Sequence, residues 1–247
     1  MKNYFDFTGY VAVITGASTG LGLQMAKAYA NQGANLVLLA RRQNLLEENA
    51  KAISAEFGVE VLPYTCDITN TEQVQGAVKA TMERFGRVDI LVNNAGTGAV
   101  APAEEIEVDL FGTFVCAREF GKEMIKAHYG RIINIASMYG LVGNMIVGSS
   151  PYHAAKGGVV NLTRALAAEW GKYGITVNSI CPGYFYTDLT TATLDSDYFQ
   201  AIAKRSIPLE RYGRSGELDT CALFLASPHS TYVNGQNIAV DGGYTAV

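Results

Sequence analysis

Cysteine is scarce in this sequence and scattered: Cys66, Cys116, Cys181 and Cys221 form no C-x-x-C pair, so spacing supports neither a disulfide framework nor a zinc site. Lone cysteines of this kind read as small buried apolar side chains. Positive charge is short as well. Lys and Arg number 19 against 23 Asp and Glu, for a net charge of −4, and no basic run is longer than a doublet such as Arg41-Arg42. That supply does not neutralise a run of phosphates, which speaks against a nucleic-acid partner. No uncharged apolar stretch is long enough to span a bilayer, so no membrane partner is expected. The opening MKNYFDFTGY carries neither an apolar h-region nor a cleavage pattern, and a cytoplasmic protein is expected. His128, His153 and His229 stand apart from one another and read as ordinary structural residues, with no metal site among them. Repeats, low-complexity tracts and linkers are also missing. The reading is therefore one domain over residues 1–247, long enough to bury roughly 70–75% of its unfolded surface.

What is present is an alternation of short apolar runs with helical patterns. Strands are predicted at Val11–Thr15, Asn35–Ala40, Val59–Cys66, Val88–Val92, Arg131–Ala136, Thr176–Cys181 and Gln236–Val240. Helices are predicted at Leu21–Asn31, Gln43–Phe57, Thr71–Phe85, Phe111–His128, Tyr152–Tyr173 and Leu218–Ala226. Continuous apolar strands alternating with helices imply a parallel sheet covered on both faces, with right-handed crossovers. The fold class is α/β, a doubly wound parallel sheet of Rossmann type. Ligands bind such sheets beyond the carboxyl ends of the strands, and the motifs below all fall at those ends.

The first predicted strand runs into Thr15-Gly16-Ala17-Ser18-Thr19-Gly20-Leu21-Gly22. Glycines at this junction permit a tight turn and a close approach of backbone to ligand, and the helix that follows points free N–H groups at a phosphate. The second strand ends in Ala40-Arg41-Arg42 with no acid to accept from a ribose 2′-hydroxyl. Arginine there accommodates a 2′-phosphate, so NADP(H) is favoured and NAD(H) is the alternative. Farther along, Tyr152 and Lys156 lie four apart on one face of a helix start. A phenol is a poor base at neutral pH, and a neighbouring ammonium favours its ionised form. The pair is suited to passing a proton to or from an alcohol or carbonyl oxygen, and Ser137, just past a strand, can donate to the same oxygen.

TGASTGLG (15–22), CD (66–67), NNAG (93–96), IAS (135–137), YHAAK (152–156), CPG (181–183) and AVDGG (239–243) follow in the order and approximate spacing of the short-chain dehydrogenases/reductases, which the chain resembles over nearly its whole length. The resemblance implies an NAD(P)-dependent oxidoreductase with Ser137, Tyr152 and Lys156 as catalytic residues. It also implies that Gly16, Ser18, Gly20 and Leu21 surround the pyrophosphate. Asp67 and Ile68 would hold the adenine, and Asn94, Ala95 and Gly96 the adenosine ribose side. Tyr152 and Lys156 would also hold the nicotinamide ribose, bordered by Pro182, Gly183, Phe185 and Thr187.

SMYGLVGN, PYHAAKGGVVNLTRALAAEWGKYGITVN and CPGYFYTDLT resemble the gluconate 5-dehydrogenase-like sugar-acid and polyol dehydrogenases. They imply a small hydroxylated substrate, with Asn144, Ser149, Ser150 and Tyr186 as polar partners or as loop residues facing water. A homotetramer is implied by family resemblance alone. Two functions compete with this one: a 3-oxoacyl reductase with the same machinery, and a weakly catalytic NAD(P)-binding sensor or scaffold.

The chain departs from the family pattern in two places. The stretch from Gly96 to Asp109 is about eight residues, or roughly two helical turns, shorter than usual. It reads either as a true deletion with a more open site or as a gap in the chain before Glu107. In addition, Asp109 aligns with the family's usual catalytic asparagine, a departure that bears on the water relay behind Lys156; with a gap before Glu107, its backbone carbonyl is expected to serve that relay.

Overall fold

Along β1 (Val11–Thr15) the side chains of Ala12 and Ile14 enter one apolar cluster and those of Val11 and Val13 another. Both clusters are buried, as the period of two demands of a strand covered on both faces. The computed structural model describes residues 3–96, 107–144, 149–187 and 190–247. Its seven strands are all parallel, in the order β3-β2-β1-β4-β5-β6-β7. The others are β2 (Asn35–Ala40), β3 (Val61–Thr65), β4 (Ile90–Asn93), β5 (Gly130–Ile135), β6 (Ile175–Pro182) and β7 (Asn237–Val240).

The helices are α1 (Gly20–Asn31), α2 (Gln43–Phe57), α3 (Thr71–Phe85), α4 (Thr113–Ala127), α5 (Ser150–Trp170), α6 (Thr191–Leu194), α7 (Asp197–Ser206) and α8 (Asp219–Ala226). Residues of α1, α2 and α8 pack on one face of the sheet, and residues of α3, α4 and α5 on the other. Strand order reverses direction between β1 and β4, and the crevice at such a switch point is where an open α/β sheet takes its ligand.

Several bounds differ from the sequence expectation. The edge strand β3 is shorter than Val59–Cys66, is only half-buried and holds Pro63, a residue that sheets tolerate at an edge. The helix expected from Phe111 is preceded by a π-turn, Glu107–Gly112, and ends at His128 in a left-handed conformation with φ 51. Helix α5 begins earlier than Tyr152, because Pro151 sits in its first turn where no N–H is needed, and its last turn, Gly171–Tyr173, is 3-10. The choice between a true deletion and a chain gap before Glu107 falls on the segment between Gly96 and Glu107. Residues 97–106, where the shortened segment falls, lie outside the described residues.

Candidate active site

The Gly-rich turn is held from the neighbouring strand. Thr15 Oγ1 accepts from the backbone N–H groups of Asn94 and Ala95, each at 2.9 Å. Asn94 Nδ2 donates to the carbonyls of Thr15 (3.0 Å) and Gly16 (3.3 Å). Gly16 has φ +67, and a Cβ at Gly22 would stand 2.4 Å from Asn94 Nδ2 and 2.5 Å from the Gly16 carbonyl. Only glycine fits either place. The N-cap of α1, Thr19, makes no side-chain capping bond, so the first-turn N–H groups remain open to an anion. A glycine-rich turn ending in open N–H groups has the chemistry to take a dinucleotide pyrophosphate, and Gly16, Ser18, Gly20 and Leu21 all lie along it. Asn94 itself spends its side chain on the turn.

Arg42, rather than Arg41, reaches this turn: its Nη2 donates to Ser18 Oγ (2.8 Å) and Thr19 Oγ1 (2.9 Å). Asn49 Nδ2 adds a bond to the Ser18 carbonyl at 3.0 Å. Arg41 is exposed and lends a weak electrostatic pull to Asp67. The backbone N–H and hydroxyl of Thr69 both donate to Asp67 Oδ1, and they hold that carboxyl below its usual range. Ile68 is buried and presses on Gly112, where a Cβ would lie 2.5 Å from Ile68 Cδ1.

Ser137, Tyr152, Lys156 and Asp109 converge at the carboxyl end of the sheet. Ser137 follows β5, is buried, and accepts from the Tyr139 N–H at 3.1 Å. Its own proton is thereby left to donate. Tyr152 lies in the first turn of α5, and its hydroxyl makes no hydrogen bond among the described residues. Lys156 Nζ lies 5.7 Å from the centre of the Tyr152 ring and donates to the Ile135 carbonyl at 3.1 Å. It also pairs with Asp109 Oδ1 at 3.1 Å, with 5% and 1% of the two side chains exposed. The Asp109 carbonyl, expected to serve a water relay, accepts from Thr113 Oγ1 at 2.8 Å, and it is the carboxylate that meets Lys156.

Beyond β6, Gly183 lets the chain run against Asp241, where a Cβ would lie 2.8 Å from the Asp241 Cα. Phe185 turns into the core and bridges to Gly213. Thr187 stands across from Gly20: a Cβ there would be 3.8 Å from Thr187 Cγ2. Of the proposed substrate partners, the Tyr186 hydroxyl is taken up by Asp195 and Gln200. Ser149 meets His153 Nδ1, Ser150 is exposed and Asn144 is half-buried.

Sequence reasoning missed a group of side chains around this site. Tyr139 stacks on His153, with ring centres 4.9 Å apart, and its hydroxyl lies 2.5 Å from that of Tyr184. Burial pushes both phenols upward, so they stay neutral. A buried chain also runs from Asn93 to Asn134 to Thr163, each bond 2.9 Å, and ties β4 and β5 to the helix that carries Lys156. Among the described residues no group of three or more His, Cys, Asp or Glu is placed to hold a metal, and no helix is long and apolar enough to cross a membrane.

The family model described as enoyl-(acyl carrier protein) reductase matches residues 16–245. The D-threitol dehydrogenase of Mycolicibacterium smegmatis is 38% identical, over 98% of this chain and 95% of its own. A short-chain type dehydrogenase/reductase from Mycobacterium marinum superposes with a TM-score of 0.90 at 38% identity, covering 99% of this chain and 98% of the other. A gluconate 5-dehydrogenase from Burkholderia cenocepacia, in complex with NADP and tartrate, superposes with a TM-score of 0.92 at 36% identity, covering 99% and 98%. With that match running through the glycine cradle and the Tyr152–Lys156 helix alike, the chain belongs to the short-chain dehydrogenase/reductase family and is an NAD(P)-dependent oxidoreductase.

Proposed function

We propose that this enzyme interconverts a secondary alcohol and a ketone on a sugar acid or polyol, of the gluconate/5-ketogluconate kind, with NADP(H) as the favoured cofactor. The observation that carries the reading is Tyr152 at the carboxyl end of the sheet, its hydroxyl without a hydrogen-bond partner among the described residues and its ring centre 5.7 Å from Lys156 Nζ. The bound nicotinamide supplies the hydride acceptor or donor. In the oxidation direction Tyr152 takes the proton of the substrate hydroxyl, and in reduction it returns one to the carbonyl oxygen. Ser137, its oxygen already accepting from Tyr139, donates to that same oxygen and holds it in place. Lys156 orients the Tyr152 ring and would hold the nicotinamide ribose. Relatives named for D-threitol and for gluconate support a hydroxylated substrate. The test is a panel of polyols, sugar acids and 3-oxoacyl thioesters with each cofactor, with products identified by NMR. A ketose or keto-acid is expected; turnover of the thioesters alone, or of nothing, would sink the reading.

The preference for NADP(H) rests on Arg42 at the turn and on the absence of an acid at the end of β2. A charge-assisted hydrogen bond is worth about 1.5–3 kcal/mol, so Arg42→Ala should weaken NADP(H) by about 10- to 10²-fold and leave NAD(H) nearly unchanged. Fluorescence titration of each cofactor checks this. Equal loss of both cofactors, or equal affinities in the native protein, would contradict it. The expected effect of Arg41→Ala is smaller, since it is the Arg42 guanidinium that bonds Ser18 and Thr19.

We also propose a cytoplasmic homotetramer. Exposed Phe111 and Phe114 beside α4 and Phe224 on α8 support an assembly, as does the half-exposed edge strand β7. Light scattering after gel filtration checks it, and a monomer at micromolar concentration would contradict it.

A further inference from the structure

Asp109 stands where the family's usual asparagine aligns, and the surrounding structure is shaped to its carboxylate. The π-turn Glu107–Gly112 carries it toward α5. Such turns are rare and recur at functional sites. A Cβ at Gly158 would lie 2.8 Å from Leu110 Cδ2, so that glycine lets the turn close onto the helix. A Cβ at Gly96 would lie 2.4 Å from Asp109 Oδ1 and 3.3 Å from Lys156 Nζ, so that glycine leaves room for the pair. Carboxylate and ammonium then meet at 3.1 Å, both out of water.

We propose that Asp109 is a positioning residue that sets the charge behind Tyr152, holding Lys156 as one half of a neutral pair. An ammonium alone near a phenol favours the ionised phenol, and a carboxylate behind it offsets much of that field. An amide in the same place keeps the shape and a hydrogen bond but carries no charge. The other groups that face Lys156 do not replace the carboxylate. Tyr152 faces it from α5 and the Ile135 carbonyl from β5. Cys181 faces it from β6, with its thiol pushed up by burial and therefore neutral. The inference deepens the proposed function, since it concerns the proton-transfer group of the same site.

The test is a near-ultraviolet pH titration of the cofactor-free protein. Subtracting the curve of the matching Tyr152→Phe protein isolates Tyr152 from the rest of the 14 tyrosines. In Asp109→Asn the ionisation step of Tyr152 should move to lower pH by about one unit. Gly96→Ala, which crowds the carboxylate away from Nζ, should move it in the same direction by less, and it serves should Asp109→Asn not fold. A purely structural Asp109 would lower stability in these variants and leave the step where it is. An unmoved step, or one moved to higher pH, in whichever of the two folds overturns the proposal. A wild-type protein inactive on the substrate panel would defeat the proposed function and still leave this titration readable.

Discussion

Tyr152→Phe should lower kcat by at least about 10²-fold, the lower end for general acid–base catalysis. The substitution removes one oxygen from a half-buried side chain whose hydroxyl bonds to nothing else among the described residues. The ring, its position over Lys156 and the fold should all persist. The melting temperature is therefore expected to stay close to wild type, and the loss of turnover to exceed by far any loss of cofactor affinity from the ribose contact. Steady-state kinetics with cofactor titration checks the split. Near-normal turnover would remove Tyr152 from the reaction, and a loss of cofactor affinity equal to the loss of rate would make its role one of binding.

Lys156→Met should act on stability as well as on rate. The ammonium is buried with Asp109, and removing one member of a buried ion pair leaves the other without compensation, at a cost of about 3–5 kcal/mol. Replacing both, in Asp109→Asn with Lys156→Met, leaves no buried charge and should recover much of that loss without restoring activity. Urea denaturation of the three proteins measures this, provided the slopes agree. A Lys156→Met protein as stable as wild type would mean that the pair is not buried in solution.

Much of this arrangement is legible in the residues. Strands β1 and β2 and helices α2 and α3 have the bounds that apolar periodicity and the flanking glycines set. The glycine turn and the Tyr152–Lys156 spacing are local patterns, and the fold brings them to one end of the sheet. Helices α6 and α7 were not legible. They are short, and they pack on a satellite cluster of Leu194, Ala203, Ile207 and Tyr212 rather than on the sheet, so they carry no long apolar stripe. The Asn93–Asn134–Thr163 chain draws on three elements and leaves no spacing to read. Asp109 was visible as a departure from the family pattern, but its contact with Lys156 depends on a π-turn that no periodicity announces. For the same reason the doublet Arg41-Arg42 could be singled out, while only the folded chain shows which of the two reaches the turn.

The central claim is direct hydride transfer between a hydroxylated carbon and the nicotinamide, with Tyr152 handling the proton. A polyol or sugar acid deuterated at its carbinol carbons, incubated with enzyme and oxidised NADP, tests it most directly by mass spectrometry of the reduced cofactor. The account predicts deuterium in the NADPH formed by the native protein, and almost none over the same time with Tyr152→Phe. Reduced cofactor free of deuterium, or labelled equally by both proteins, would contradict it.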